Sequence, residues 1–244
     1  MKILIKIILL TGILGYLVFA FANLSHDEDQ RECIGMEIIL EDSIANFVNR
    51  QFVEQLIVQS KCPIQGRNIK DIDIRTIEAS IQNNPYIDSV ACHYTSTNLL
   101  CIRVLPRRPV LHVISDNGEK YYMDINGNDM PTDVFLQDLC LATGNISKDY
   151  AKEHLVQIAD YVNTHAPWNK EIQQISVRTP KHIEIILSTG SHTVVLGEPT
   201  DIQGKLNRLQ NFYEEGLNKV GWNKYSIIDL NYANQIVCTK KQKK

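Results

Sequence analysis

The densest run of oxygen-bearing side chains is "EKYYMDINGNDMP", residues 119–131. Asp124, Asn126 and Asn128 alternate there, the spacing of the first three ligands of an EF-hand calcium loop. The rest of that ligand set is missing. Asp129 stands where the loop needs its turn glycine, and Phe135 stands where it needs a bidentate glutamate. Asn126-Gly127 instead accommodates positive φ at both central positions of a type I′ turn. Tyr121, Met123 and Ile125 alternate with Tyr122 and Asp124 at strand period. The stretch therefore predicts a β-hairpin, not a metal site.

Other candidate constellations are equally incomplete. Ser191 precedes His192, but no G-x-S-x-G elbow surrounds them, and sequence neighbours on a strand point to opposite faces. His154 and Asp160 share a helical stretch, yet six residues apart they occupy different faces. No H-E-x-x-H, phosphate loop or dinucleotide fingerprint occurs, and the seven histidines are scattered. The six cysteines (Cys33, Cys62, Cys92, Cys101, Cys140, Cys238) include no C-x-x-C pair, so a zinc site is unsupported. These absences predict a protein that is not an enzyme and has no metal, cofactor or small-molecule substrate. A formal charge of −3 with no basic face argues against nucleic acid, and "TKKQKK" at the end reads as a solvated tail.

The N-terminus, "MKILIKIILLTGILGYLVFAFANL", places Lys2 and Lys6 before an uncharged run over residues 7–22. As a helix that run spans about 24 Å, slightly short of a ~30 Å hydrocarbon core. Adding residues 3–5, with Lys6 snorkelling, closes the gap. Asp27, Glu28, Asp29 and Glu32 follow. Basic before and acidic after predicts a cytoplasmic N-terminus and an exported remainder. Ala20-Phe21-Ala22 also matches a signal-peptidase site, so a cleaved signal peptide is the alternative. An exported domain would sit where disulfides can form. Val90, Cys92 and Tyr94 share one strand face, and Leu100, Ile102 and Val104 share a face of the next. Packing both sets on one core sends Cys101 outward and Cys92 inward, which predicts that the two do not bond.

The elements that would carry these residues begin at "MEIIL", a short strand. Asn49 can cap a helix bearing Phe52, Val53, Leu56 and Ile57, and Asp73 a second with Ile74, Ile77 and Ile81 on one stripe. Two alternating strands follow, 87–94 and 98–105, giving the order β-α-α-β-β. "PRRP", 106–109, is a stiff junction. Beyond it Ser147 can cap a helix with Ala151, Leu155, Ile158 and Val162 inward. "IQQISV", "HIEIIL" and "HTVVLG" read as successive strands. A longer helix from near Thr200 aligns Ile202, Leu206, Leu209, Phe212 and Leu217, and "YSIIDLNYANQIVC" reads as strand, bend, strand.

"PIQGRNIKDIDIRTIEASIQNNPYIDSVACHY", "LLCIRVLPRRPVLHV", "KYYMDINGNDMP" and "IIDLNYANQIV", in that order behind an N-terminal hydrophobic run, resemble the bacterial cell-division protein family FtsQ (DivIB). The resemblance implies an α+β protein with an N-terminal transmembrane helix, a POTRA domain (β-α-α-β-β), then a β domain of mainly antiparallel strands with two helices. The expected boundaries are a cytoplasmic 1–6, a signal-anchor at 7–24, a spacer at 25–35, POTRA at 36–106, the β domain at 107–238 and a basic tail at 239–244. It further implies an inner-membrane scaffold at the division septum that recruits later divisome proteins of the FtsB–FtsL type. In the family the final strand of the β domain accepts a partner strand. The aspartate-leucine-x-tyrosine element there matches Asp229, Leu230 and Tyr232, and the partner-binding edge would comprise Tyr232, Asn234, Gln235, Ile236 and Val237. Many relatives carry arginine where this chain has Asn231, which removes any charged contact from that position. The alternative for Leu230 and Tyr232 is that both simply face the core. A different class remains, an exported POTRA-containing component of a transport or outer-membrane assembly system. Such proteins carry POTRA units in series or a barrel of ten-residue alternating strands. One POTRA-like unit followed by two sizeable helices favours the scaffold.

Overall fold

The structure, a computed structural model, describes residues 9–20, 31–41, 47–134, 136 and 139–242. Residues 9–20 are helical. No helix of the described residues is long and apolar enough to cross a membrane. The expected anchor at 7–24 and the Ala20-Phe21-Ala22 site both extend into residues outside the described ones. The chain divides into two compact units, Met1–Pro106 and Arg107–Lys244.

In the first unit β1 (Gly35–Leu40) is followed by α1 (Arg50–Gln59), α2 (Ile74–Gln82), β2 (Ile87–Tyr94) and β3 (Leu99–Pro106). The sheet order is β1-β3-β2. Two intervening helices let β1 run parallel to β3, whereas the tight Thr95–Asn98 turn makes β2 and β3 antiparallel. Both caps form as their residue types require. Asn49 Oδ1 accepts the Phe52 N–H at 2.8 Å, and Asp73 accepts the Thr76 N–H at 3.2 Å. Val53, Leu56 and Ile57 of α1, Ile77 and Ile81 of α2, and Leu100, Ile102 and Val104 of β3 are buried. The cysteines partly overturn their expected placement. Cys92 pairs with Ile102 and Cys101 with His93, so the thiols lie on opposite faces, and both are free. Cys101 nevertheless is buried, at 3 % exposure, and Cys92 is only half-buried. β3 is the central strand, and Glu37 and His93 flank Cys101 in register, so longer neighbours on both sides screen a small side chain. Cys92 lies on an edge strand.

The second unit is one nine-stranded sheet ordered β12-β11-β10-β9-β8-β7-β4-β5-β6. Its strands are β4 (Pro109–Ser115), β5 (Lys120–Asp124), β6 (Asp129–Met130), β7 (Cys140–Gly144), β8 (Ile172–Thr179), β9 (His182–Leu187), β10 (Thr193–Gly197), β11 (Tyr225–Asp229) and β12 (Val237–Lys240). β4–β7, β7–β8 and β10–β11 are parallel and the other five neighbouring pairs antiparallel. Parallel neighbours need long crossovers, and the two larger helices supply two of them. Lys148–Tyr150, a wide turn at Ala151–Leu155 and Val156–Thr164 join as α3 between β7 and β8. Ile202–Asn211, a wide turn at Phe212–Leu217 and Asn218–Val220 join as α4 between β10 and β11. Phe212 and Leu217 are five residues apart, too far for one face of a regular helix. The wide turn lets both pack on the core reached by Leu206 and Leu209.

The 120–130 hairpin forms, but not with the expected turn. Only Gly127 of the loop has positive φ, 77°. Its N–H donates to Asp124 O, and the Asp124 N–H donates to Asn128 O, both at 3.0 Å. This is a three-residue loop ending in a glycine bulge rather than a type I′ pair. The cause is the Asp124 carboxylate. Oδ1 accepts the N–H groups of Asn126 (2.9 Å) and Asn128 (2.8 Å), while Oδ2 accepts the Asn128 side-chain amide (3.0 Å) and Arg107 (2.8 Å). The oxygen-rich run is thus consumed in holding its own turn.

Candidate partner-binding edge

β12 is the last strand of the sheet, paired on one side only. It runs antiparallel to β11, with Asp229 opposite Val237, Ile228 opposite Cys238 and Ile227 opposite Thr239. The bend between them separates two residues that sequence could have placed together. Leu230 is fully buried, donates its N–H to Val195 O (2.8 Å) and accepts from Arg208 (3.1 Å). Tyr232 is 48 % exposed. Asn231 donates its N–H to the Asp229 carboxylate (2.9 Å), and its side chain lies over Gly197. A Cβ on Gly197 would come within 2.2 Å of Asn231 Oδ1, so that approach requires glycine.

Of the expected contact residues, only Val237 belongs to the edge strand, and it is exposed. Asn234, Gln235 and Ile236 lie in the bend just before it, with Asn234 at φ 58°. These three form one wall of an open groove of about 490 Å³. The other wall is α4, through Arg208, Asn211, Phe212, Glu215 and Gly216. Tyr232 does not line it. The α4 wall was missed in sequence. Its signal was Gly216, a costly residue inside a helix, beside which a Cβ would meet the Phe212 ring at 3.0 Å. Arg208 brings positive charge to this wall, held by Leu230 O and by Asp201 at 3.7 Å.

The far end of β12 is pinned. The Lys241 N–H donates to Lys224 O (3.1 Å), and Lys241 Nζ donates to the Ser191 hydroxyl. Ser191 also donates to Asn223 (3.2 Å), whereas His192 Nε2 meets the Tyr213 hydroxyl at 2.8 Å. The two sequence neighbours therefore face different partners. Burial, and then the Lys241 charge, lower the His192 pKa, keeping the ring neutral among Tyr213 and Trp222. His154 and Asp160 also meet different partners: His154 makes an edge-to-face contact with Tyr150, and Asp160 pairs with Arg108 at 2.7 Å.

A three-stranded, two-helix unit leading into a mixed sheet with an open final strand defines a two-part architecture, and both parts have known counterparts. Residues 31–105 match the model of a POTRA-like domain. Residues 108–239 match the model described as FtsQ/DivIB, C-terminal related, and the chain belongs to that family. Among curated proteins it is similar to "Cell division protein FtsQ" of Geotalea daltonii, 23 % identical over 188 residues, covering 72 % of this chain and 66 % of that protein. It is also similar to "Cell division protein FtsQ" of Syntrophotalea carbinolica, 24 % identical over 196 residues, covering 75 % and 67 %. The match therefore spans just under two thirds of the Geotalea protein's length.

Proposed function

We propose that this chain is a cell-division protein acting as a non-enzymatic scaffold. In this reading residues 7–24 anchor it in the inner membrane, its two units lie on the periplasmic side at the septum, and it recruits later division proteins of the FtsB–FtsL type. Docking is by strand addition. A partner segment pairs with β12, making a ladder of backbone hydrogen bonds, while its side chains reach Tyr232, Asn234, Gln235, Ile236 and Val237. The observation that carries the reading is the unpaired outer edge of β12 beside the groove formed by residues 234–236 and α4. Family membership and the relatives' names support the assignment to division.

The test is capture of the FtsB-like partner from membranes by full-length protein. Cys238→Pro removes a backbone donor on the outer side of the strand and restricts Val237, because Val237, Thr239 and Lys241 turn their own peptide groups inward, toward β11 and the segment before it. Truncation after Tyr232 removes the edge altogether. Both are expected to abolish capture while the protein stays in the membrane fraction. A folded Cys238→Pro protein that holds the partner with unchanged affinity would refute strand addition at β12.

A further inference from the structure

The first unit has two sheet edges, and they are treated differently. On β2, side chains of α2 reach the outward peptide groups: Glu78 Oε1 accepts the Cys92 N–H (2.7 Å) and Gln82 Nε2 donates to Asp88 O (2.9 Å). Along β1, no side chain of the described residues bonds to the peptide groups of residues 36–40. Met36, Ile38 and Leu40 stand in register with Leu100, Ile102 and Val104, so they face the core side, yet all three stay half-exposed. Between β1 and α1 lies an open groove of about 360 Å³, lined by Met36, Ile57, Val58 and Ile64. Val58 is 76 % exposed. On the opposite face of β1 stand Glu37, with no ion pair among the described residues, and Glu41, which Arg103 approaches only to 3.9 Å.

We infer that β1 is a second docking edge, for an extended segment of another protein in which apolar residues alternate with lysine or arginine. A strand laid along β1 has a period of two. Its alternate side chains enter the groove beside Met36, Ile57 and Val58, and those between them stand opposite Glu37 and Glu41. Charge decides the occupant. A second copy pairing through its own β1 would bring the carboxylates of Glu37 and Glu41 into like-charge proximity, and an acidic segment would do the same. This inference does not rest on the β12 reading.

The probe is a fluorescein-labelled peptide, TVKVKVT, with TVEVEVT and the clustered isomer KKTVVVT as controls. Binding to the full chain in nanodiscs is read by fluorescence anisotropy. TVKVKVT is expected to bind saturably and at least about tenfold more tightly than either control, the alternation and the sign of charge both being read. Val58→Asp and Glu37→Lys should each weaken it about tenfold, and Glu37→Lys should turn the preference toward TVEVEVT. Both positions are exposed, so the fold is retained, as circular dichroism will verify. Protein truncated after Tyr232 should bind TVKVKVT as the full chain does, which separates this edge from β12. Equal binding of the three peptides, indifference to Val58→Asp, or self-association of the chain abolished by Val58→Asp would each overturn the proposal.

Discussion

Removing the Asp124 carboxylate should cost more than removing the cation it faces. Asp124 is 1 % exposed and accepts four hydrogen bonds, from Asn126, Asn128 twice and Arg107. In Asp124→Ala the turn loses its internal acceptor, and the Arg107 guanidinium, itself mostly buried, loses its 2.8 Å ion-pair partner. Breaking a buried pair from that side costs about 3–5 kcal/mol. Arg107→Ala leaves the carboxylate with three remaining N–H donors, so its cost should be about 1.5–3 kcal/mol, the range for a hydrogen bond to a charged group. Both tryptophans, Trp168 and Trp222, lie in the second unit, so urea titration followed by their fluorescence reports that unit alone. With an m-value of about 2 kcal/mol per molar urea, Asp124→Ala should lower the midpoint by about 2 M and Arg107→Ala by about 1 M. A loss below about 1 kcal/mol for Asp124→Ala, or equal losses for the two variants, would refute the view that this carboxylate organises the turn.

Leu230→Ala should cost about 2–5 kcal/mol in the same titration, whereas Tyr232→Ala should change stability by less than about 0.5 kcal/mol yet weaken partner capture at least about tenfold. The reverse ranking would show that the bend is oriented the other way. Burial raises the Cys140 thiol from 9.0 to about 12, and burial with the Glu78 carboxylate takes Cys92 to about 12. A raised pKa means less thiolate at a given pH, about a thousandth of the ordinary amount here, so iodoacetamide at pH 8.5 should label Cys62 well before Cys140 or Cys92. Peptide mapping that finds Cys140 modified as fast as Cys62 in folded protein would contradict this.

What could be read in advance was set by local physics. Asn49, Asp73 and Ser147 each precede an apolar stripe of helical period, and each accepts the expected backbone N–H. What could not be read depended on residues far along the chain. Alternation determines which face Cys101 takes, but its burial depends on Glu37, brought alongside only when β1 joins the sheet. Asn-Gly signals a hairpin. Asp124 reaching both Asn126 and Asn128 selects a different loop, and Arg107, seventeen residues upstream, completes that choice. The second unit's three parallel pairings were likewise invisible to period-two patterns, which look the same in either direction.

The sheet edges decide how much of the proposed docking surface could be read in advance. A free row of backbone donors and acceptors invites unwanted pairing, so an edge that stays open needs a reason. Among the described residues, two of the four sheet edges are closed. β6 is two residues long, with Asp129 tied to Lys148 at 2.6 Å, and β2 has its peptide groups met by Glu78 and Gln82. β12 was expected in sequence to be an edge, and the sheet order places it at one end. Its groove could not be anticipated, since α4 lies about twenty residues earlier in sequence and meets residues 234–236 only through the parallel β10–β11 crossover. β1 gave no such hint, because a first strand is as easily central as peripheral. Its open state becomes meaningful only against the capped β2: two α2 side chains bond to one edge, whereas among the described residues no side chain bonds to the other, which lies beside a mostly apolar groove.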